Sequence, residues 1–400
     1  MAVVDLSSII VAYKVQAGLG TPATGAGATG LEVLPSQGMT RNVNTIESAL
    51  IKSNRMKKRP RHGSVNCVAA YQTELVVGAL DDYFEMVLGG TWAATFDVDE
   101  GDVTSMTISG TGVTLTSASG SFITLGIRAG MMGKFADLSE AGNNGVWFPI
   151  LNVTATVLTI PSGFLEDNAT DSAFTLTVAR SLSTTDPYTK RYVTLEEYWG
   201  SDQDQGKLGT DMYWNELSFD AQVDSPITIG MGAGGRDLEP VDTGDAPNFT
   251  SPTFVSGNSV VLLDGGLYMN GTKRANITGF QFSLTAPVTN PGVIGTRVSP
   301  DTFLGQFAFS GTMTVMIEDL ADFQASINET VQSAVLHCAE NEADPADFIT
   351  FYLGNLTFGS FQSPSGGEGP AIATIPIYGG DDDRGSGFAE TTVVISTSAA

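Results

Sequence analysis

Apolar and polar residues alternate with a period of two along most of this 400-residue chain, the spacing of strands with one buried face. Residues 64–75 place Val65, Cys67, Ala69, Tyr71 and Leu75 on one parity. Later segments are longer. Strands are expected at 192–198 and through Leu217, Phe219, Ala221 and Val223, with Ile227, Ile229 and Met231 continuing after Pro226. Phe280, Phe282 and Leu284 share a face, and further strands read at 307–318, 331–339, 348–358, 371–378 and 390–396. Two short helices interrupt the pattern. Leu80, Phe84, Val87 and Leu88 recur at i, i+4, i+7 and i+8, which predicts a helix over 79–88. Asp81 and Asp82 suit its first turn, and Gly89-Gly90 supply a stop. Leu320, Phe323 and Ile327 mark one side of a second helix, 320–328. Residues 1–45 read as extended and loop-rich, with one short strand at 9–15 and a Gly/Ala/Thr tract at 18–30.

The texture changes near Phe96. Over 103–180 the strands shorten, with Met106 and Ile108, Val113 and Leu115, then Phe174, Leu176 and Val178 separated by Thr and Gly. Such spacing predicts a small all-β module. The expected organisation is a main domain of 1–95 and 183–400, interrupted by an inserted all-β domain of 96–182. The fold class is mainly β, with one or two short helices. Charged residues make up only 16% and helix-forming tracts are missing, which agrees.

Charge adds a feature that periodicity does not show. Lys52, Arg55, Lys57, Lys58, Arg59 and Arg61 fall within ten positions, and the next acidic residue is Glu74. The net charge is −25, so removing those six positive charges leaves −31 on the rest. A basic run is commonly a solvated loop or a nucleic-acid patch. Duplex DNA presents a negative charge per roughly 1.7 Å of axis, and the remainder of this chain would repel it. Other copies of the chain offer a partner of the right sign, so the run is read as a self-contact.

Signs of catalysis are sparse. His62 and His337 alone could act as bases near neutrality. His337 and Cys338 are neighbours on a strand and point to opposite faces, which argues against a dyad between them. The glycines at 18–30 and 230–235 lack the Gly-Lys-Ser/Thr of a phosphate loop and read as arms or turns. Asp381-Asp382-Asp383-Arg384-Gly385 reads as an exposed acidic turn, and Glu196-Glu197 as carboxylates facing opposite ways. The chain is therefore expected to be no enzyme, with no cofactor and no metal. Cys67 and Cys338 are expected to be buried free thiols, which suits folding in a reducing cytoplasm. No run approaches the roughly 18 apolar residues of a membrane span, and residues 1–13 do not read as a secretory leader. Trp147, Trp199 and Trp214 keep open a carbohydrate-binding or adhesive β-protein.

Several stretches, in order, resemble the tail tube (major tail) proteins of long-tailed bacteriophages. Residues 10–15 followed by Gly18-Leu19-Gly20-Thr21-Pro22 look like the family's opening strand and arm. Ile46-Glu47-Ser48 through Arg59-Pro60-Arg61-His62-Gly63-Ser64-Val65 resembles its basic loop and following strand. Residues 80–92, 277–284 and 311–328 resemble its short helix, a core strand and a strand–helix junction. The resemblance leaves 96–182 aside. It implies a β-sandwich or barrel-like subunit in hexameric rings, stacked into a tube through which DNA and a tape-measure protein pass. Partners would be further copies of the chain, tape-measure, terminator and tip proteins, and transiting DNA. The protein would sit in the virion after assembly in the host bacterial cytoplasm, with the insert on the outer surface.

Overall fold

A computed structural model describes residues 4–116, 120–200, 203–242, 244–340, 347–363, 366 and 368–398. The chain opens with β1 (Ile10–Val15), β2 (Thr29–Leu31), β3 (Gly38–Ile46), β4 (Arg61–Glu74) and the helix α1 (Asp81–Leu88). The fold is mainly β, built of antiparallel sheets without a closed barrel. Its spine is the 17-residue strand Gly206–Gln222. The first part of that strand lies between Val193–Tyr198 and Asp237–Val241. The second part lies between Thr228–Gly235 and Ile277–Thr285. Register shifts near Trp214, and Asp211 holds a left-handed φ of 53° just before it. Bulges of this kind bend a strand and raise its twist, so one strand serves two sheets.

β1 and β2 extend the first sheet through Val193–Tyr198. The second sheet runs from β3 through β4, Thr228–Gly235, the spine, Ile277–Thr285 and Ala308–Met316 to Ile372–Gly379 and Phe348–Phe358. α1 fills the space between the sheets, with Tyr83, Phe84, Met86, Val87 and Leu88 all buried. The Tyr83 ring meets Trp214 edge-on at 5.2 Å, and Phe84 meets Phe351 at 5.8 Å. Gly89 ends the helix at φ 63°, and at Gly90 a Cβ would stand 2.0 Å from the Ser183 carbonyl oxygen. Only glycine fits there.

Residues 98–178 enclose a second apolar core around Phe122, Phe135, Phe148 and Leu176. Phe96–Asp99 pairs with Thr175–Val178, so the chain leaves and returns side by side. This core rests on the main sheet through Ala129 and Leu151, which pack with Tyr268, Val335, Tyr352 and Val394. The Tyr352 hydroxyl donates to the Leu151 carbonyl and the Ser396 hydroxyl to that of Gly130.

Three expectations need correction. Residues 1–45 hold β2 and β3 as well as β1. β3 escapes the pattern because only Met39 on it is buried. The glycines of 230–235 lie within the strand Thr228–Gly235 rather than in an arm. They let neighbours approach: a Cβ at Gly232 would meet Glu216, and one at Gly235 would meet Met212. The separate strands at 217–223 and 227–231 are parts of longer ones, the first reaching back to Gly206.

His337 lies buried on Gln332–Ala339, its Nδ1 3.1 Å from the Thr350 hydroxyl. Burial, with a smaller push from Lys273, lowers its pKa from 6.5 to about 4. The unfolded chain thus binds this proton first as pH falls, and folding loses stability between about pH 6.5 and pH 4. His337→Gln is expected to flatten that acid limb, by up to about 3 kcal/mol. Denaturation midpoints of both proteins at pH 7 and pH 4.5 check this, and an equal acid loss in both refutes it.

Candidate assembly interface

β3 and β4 form a hairpin in which Ile46 pairs with Arg61. Thr228–Gly235 accompanies β4 only from Cys67 to Glu74. Among the described residues, 61–66 therefore have β3 as their only strand partner. Val65 is nonetheless buried, its amide donating to the Arg297 carbonyl at 3.0 Å, so the ribbon clears the body at its outer end, where Arg61 and His62 are exposed. The loop and the start of β4 carry all six cations of the basic run. Arg55, Lys57, Lys58, Arg59 and Arg61 are exposed and Lys52 is half-buried. Lys57 approaches Glu47 at 3.4 Å, but both are exposed, so the pair contributes under about 1 kcal/mol. Among the described residues the other five have no acidic partner within ion-pair distance. The tip is also apolar. Ile51 is 100% exposed, and Ile46, Leu50 and Met56 are exposed beside it. Sequence reasoning singled out the charges and missed these side chains. Their lack of strand periodicity was the available signal.

The root of the ribbon is fixed by one carboxylate. Glu197, buried on Val193–Tyr198, accepts from the Met39 amide at 2.5 Å, the Tyr71 hydroxyl at 2.8 Å and Lys207 Nζ at 2.9 Å. Met39 belongs to β3 and Tyr71 to β4, so this group ties both arms to the first sheet. Burial and then the Glu197 charge push the Tyr71 hydroxyl far above its ordinary range, keeping it a donor. Burial likewise pushes the Cys67 thiol up to about 12. Arg41, further out on β3, grips Asp237 at 2.6 Å. Glu196 points the other way and accepts from the amides of Asn248 and Phe249, at 2.6 and 2.9 Å.

A model of the phage tail tube protein family matches residues 7–389. The chain belongs to that family. No curated protein matches it. Membership makes it a structural subunit of a phage tail tube and a component of the virion. The match spans 96–182 as well as the strands that carried the resemblance.

Other residues of this tail tube protein that invited a chemical reading have structural surroundings. His62 is exposed on β4 opposite Thr45, away from His337. Cys67 and Cys338 are buried and free. Asp381, Asp383, Arg384 and Gly385 are exposed, as expected of that turn, whereas Asp382 within it is buried and held by Arg384 at 2.6 and 2.7 Å, which the surrounding polar sequence did not reveal. Among the described residues no group of three His, Cys, Asp or Glu could hold a metal ion, and no helix is long and apolar enough to cross a membrane. Trp214 is buried in the main core, and Trp147 packs on Phe348 with Lys134 over its ring. Trp199 is half-buried.

Glu197→Ala leaves the Tyr71 hydroxyl and the Met39 amide without their acceptor. The variant is expected to lose about 2 kcal/mol, since hydrogen bonds to charged groups are the stronger ones. Amides of β3 and β4 should exchange faster while those around Phe351 hold. Uniform exchange across both sets would show that Glu197 does not anchor the ribbon.

Proposed function

We propose that this chain polymerises as stacked hexameric rings into a hollow tube, and that the β3–β4 hairpin grips a neighbouring copy. The carrying observation is a rooted ribbon that ends in unpaired cations and bare aliphatic side chains, on a body of charge −31. Exposed aliphatic surface of this kind marks a place where another surface docks, and the cations around it favour an acidic one. Arg55, Arg59 and Arg61 can clasp carboxylates through two parallel bonds, which fixes geometry as well as strength. Every copy supplies those carboxylates. The charge run is thus better matched to a second copy than to DNA.

The acidity has a second use in this reading. A basic wall would bind passing phosphates and release their counterions, which would arrest the DNA. Carboxylates along the lumen repel it, within a screening length of about 8 Å at physiological salt. DNA then passes during ejection without binding. The tape-measure protein occupies the lumen beforehand, terminator and tip proteins close its ends, and assembly takes place in the host cytoplasm. The 98–178 core faces outward, clear of the bore.

Neutralising Lys57, Lys58, Arg59 and Arg61 to Gln is expected to leave a folded monomer that builds no tubes. Circular dichroism and negative-stain microscopy check both halves, and normal tubes from the quadruple variant refute the role of the hairpin. A three-dimensional reconstruction of the native tube is expected to show an electronegative bore. A neutral or positive bore would exclude the conduction mechanism.

A further inference from the structure

The strand register shows what lies at the other end of the subunit. Glu74, 13 residues along β4 from Arg61, stands in a cross-sheet row with Thr228, Asp220, Gln281 and Thr312. The strand Ala308–Met316 runs onward from that row, away from the hairpin tip, and the helix α2 (Ala321–Ile327) follows it. α2 is held firmly. Asp322 pairs with Arg274 at 2.7 Å, the Phe323 ring sits 5.6 Å from that of Phe361, and the Ser326 hydroxyl donates to the Gly359 carbonyl. Yet none of its residues is buried. Leu320 is 67% and Ile327 63% exposed, with Phe323 open between them. Glu318, Asp319 and Glu329 flank that stripe, all exposed, and 316–332 contains no Lys or Arg.

An apolar stripe on a short helix normally faces a core. Here it faces outward and is rimmed by negative charge. The hairpin tip is its converse in charge and its like in polarity. We propose that α2 is the acceptor for the hairpin tip of the next copy. Leu50, Ile51 and Met56 would cover Leu320, Phe323 and Ile327, while the surrounding cations meet Glu318, Asp319 and Glu329. Donor and acceptor are different patches at opposite ends of one chain. Contacts between unlike patches do not close a pair; they generate a ring where the rotation closes and an open stack where it does not, and patches at opposite ends of the chain suit the stack. This inference rests on the polymerisation proposed above and names the surface that receives the hairpin.

The test uses the full chain carrying Ile51→Cys and Ile327→Cys. Both native cysteines are buried, so the new thiols alone are available. Tubes of this chain, oxidised and run under denaturing non-reducing conditions, are expected to give a ladder of multimers, and each single-cysteine chain only monomer. Tubes that form but give no ladder overturn the inference and leave the proposed function standing. The second measurement is charge reversal. Glu318→Lys, Asp319→Lys and Glu329→Lys together are expected to give folded monomers at least tenfold poorer in polymer. Wild-type polymer yield from that variant overturns the acceptor assignment even if the cysteine chain does not assemble. A wild-type chain that never polymerises removes the proposed function and this inference with it.

Discussion

The meeting of Trp214 with α1 holds this architecture together. The indole is flanked edge-on by Tyr13 from the first sheet and Tyr83 from the helix, at 5.7 and 5.2 Å. It sits where the spine strand changes sheets. Edge-to-face aromatic pairs add to the burial of their large surfaces, and here they tie three elements at one point. The Tyr83 hydroxyl donates to the Glu216 carbonyl two residues beyond Trp214, close to the bulge itself. Helix, bend and both sheets are therefore mutually dependent.

That junction sets the stage for the hairpin. With the first sheet fixed against α1, Val193–Tyr198 presents Glu197 toward β3 and β4. That buried carboxylate, together with the pairing of β4 to Thr228–Gly235 and the grip of Arg41 on Asp237, makes the hairpin an extension of the body. Isolated two-stranded ribbons are marginal in water, so a projecting hairpin needs such a root. Rigidity at the root also reduces the order that the proposed contact of the tip would have to create.

What the sequence disclosed followed from burial. β4 was legible because Val65, Cys67, Ala69, Tyr71 and Leu75 all face the core and are buried. α1 was legible from its periodicity, its early aspartates and the glycine that ends it. β3 was not, because beyond Met39 none of its side chains is buried and no pattern is imprinted. The 230–235 glycines misled because glycine there serves close packing against Glu216 and Met212, not a turn. The basic run was visible in composition and the stripe of α2 in its spacing, but the aliphatic companions of the run and the outward direction of the stripe were not. Apolar residues spaced for a helix read alike whether they face inward or toward another molecule. Only the fold tells them apart.

The 98–178 core has a further consequence. Phe96 and Val178 are direct partners across a sheet, so the polypeptide exits and re-enters at a single gate. Whatever is threaded between those two residues leaves the surrounding strand order untouched. Such a segment can be exchanged without redrawing the strands around it, provided the replacement still fits the surface around Tyr352, Val394, Tyr268 and Phe348.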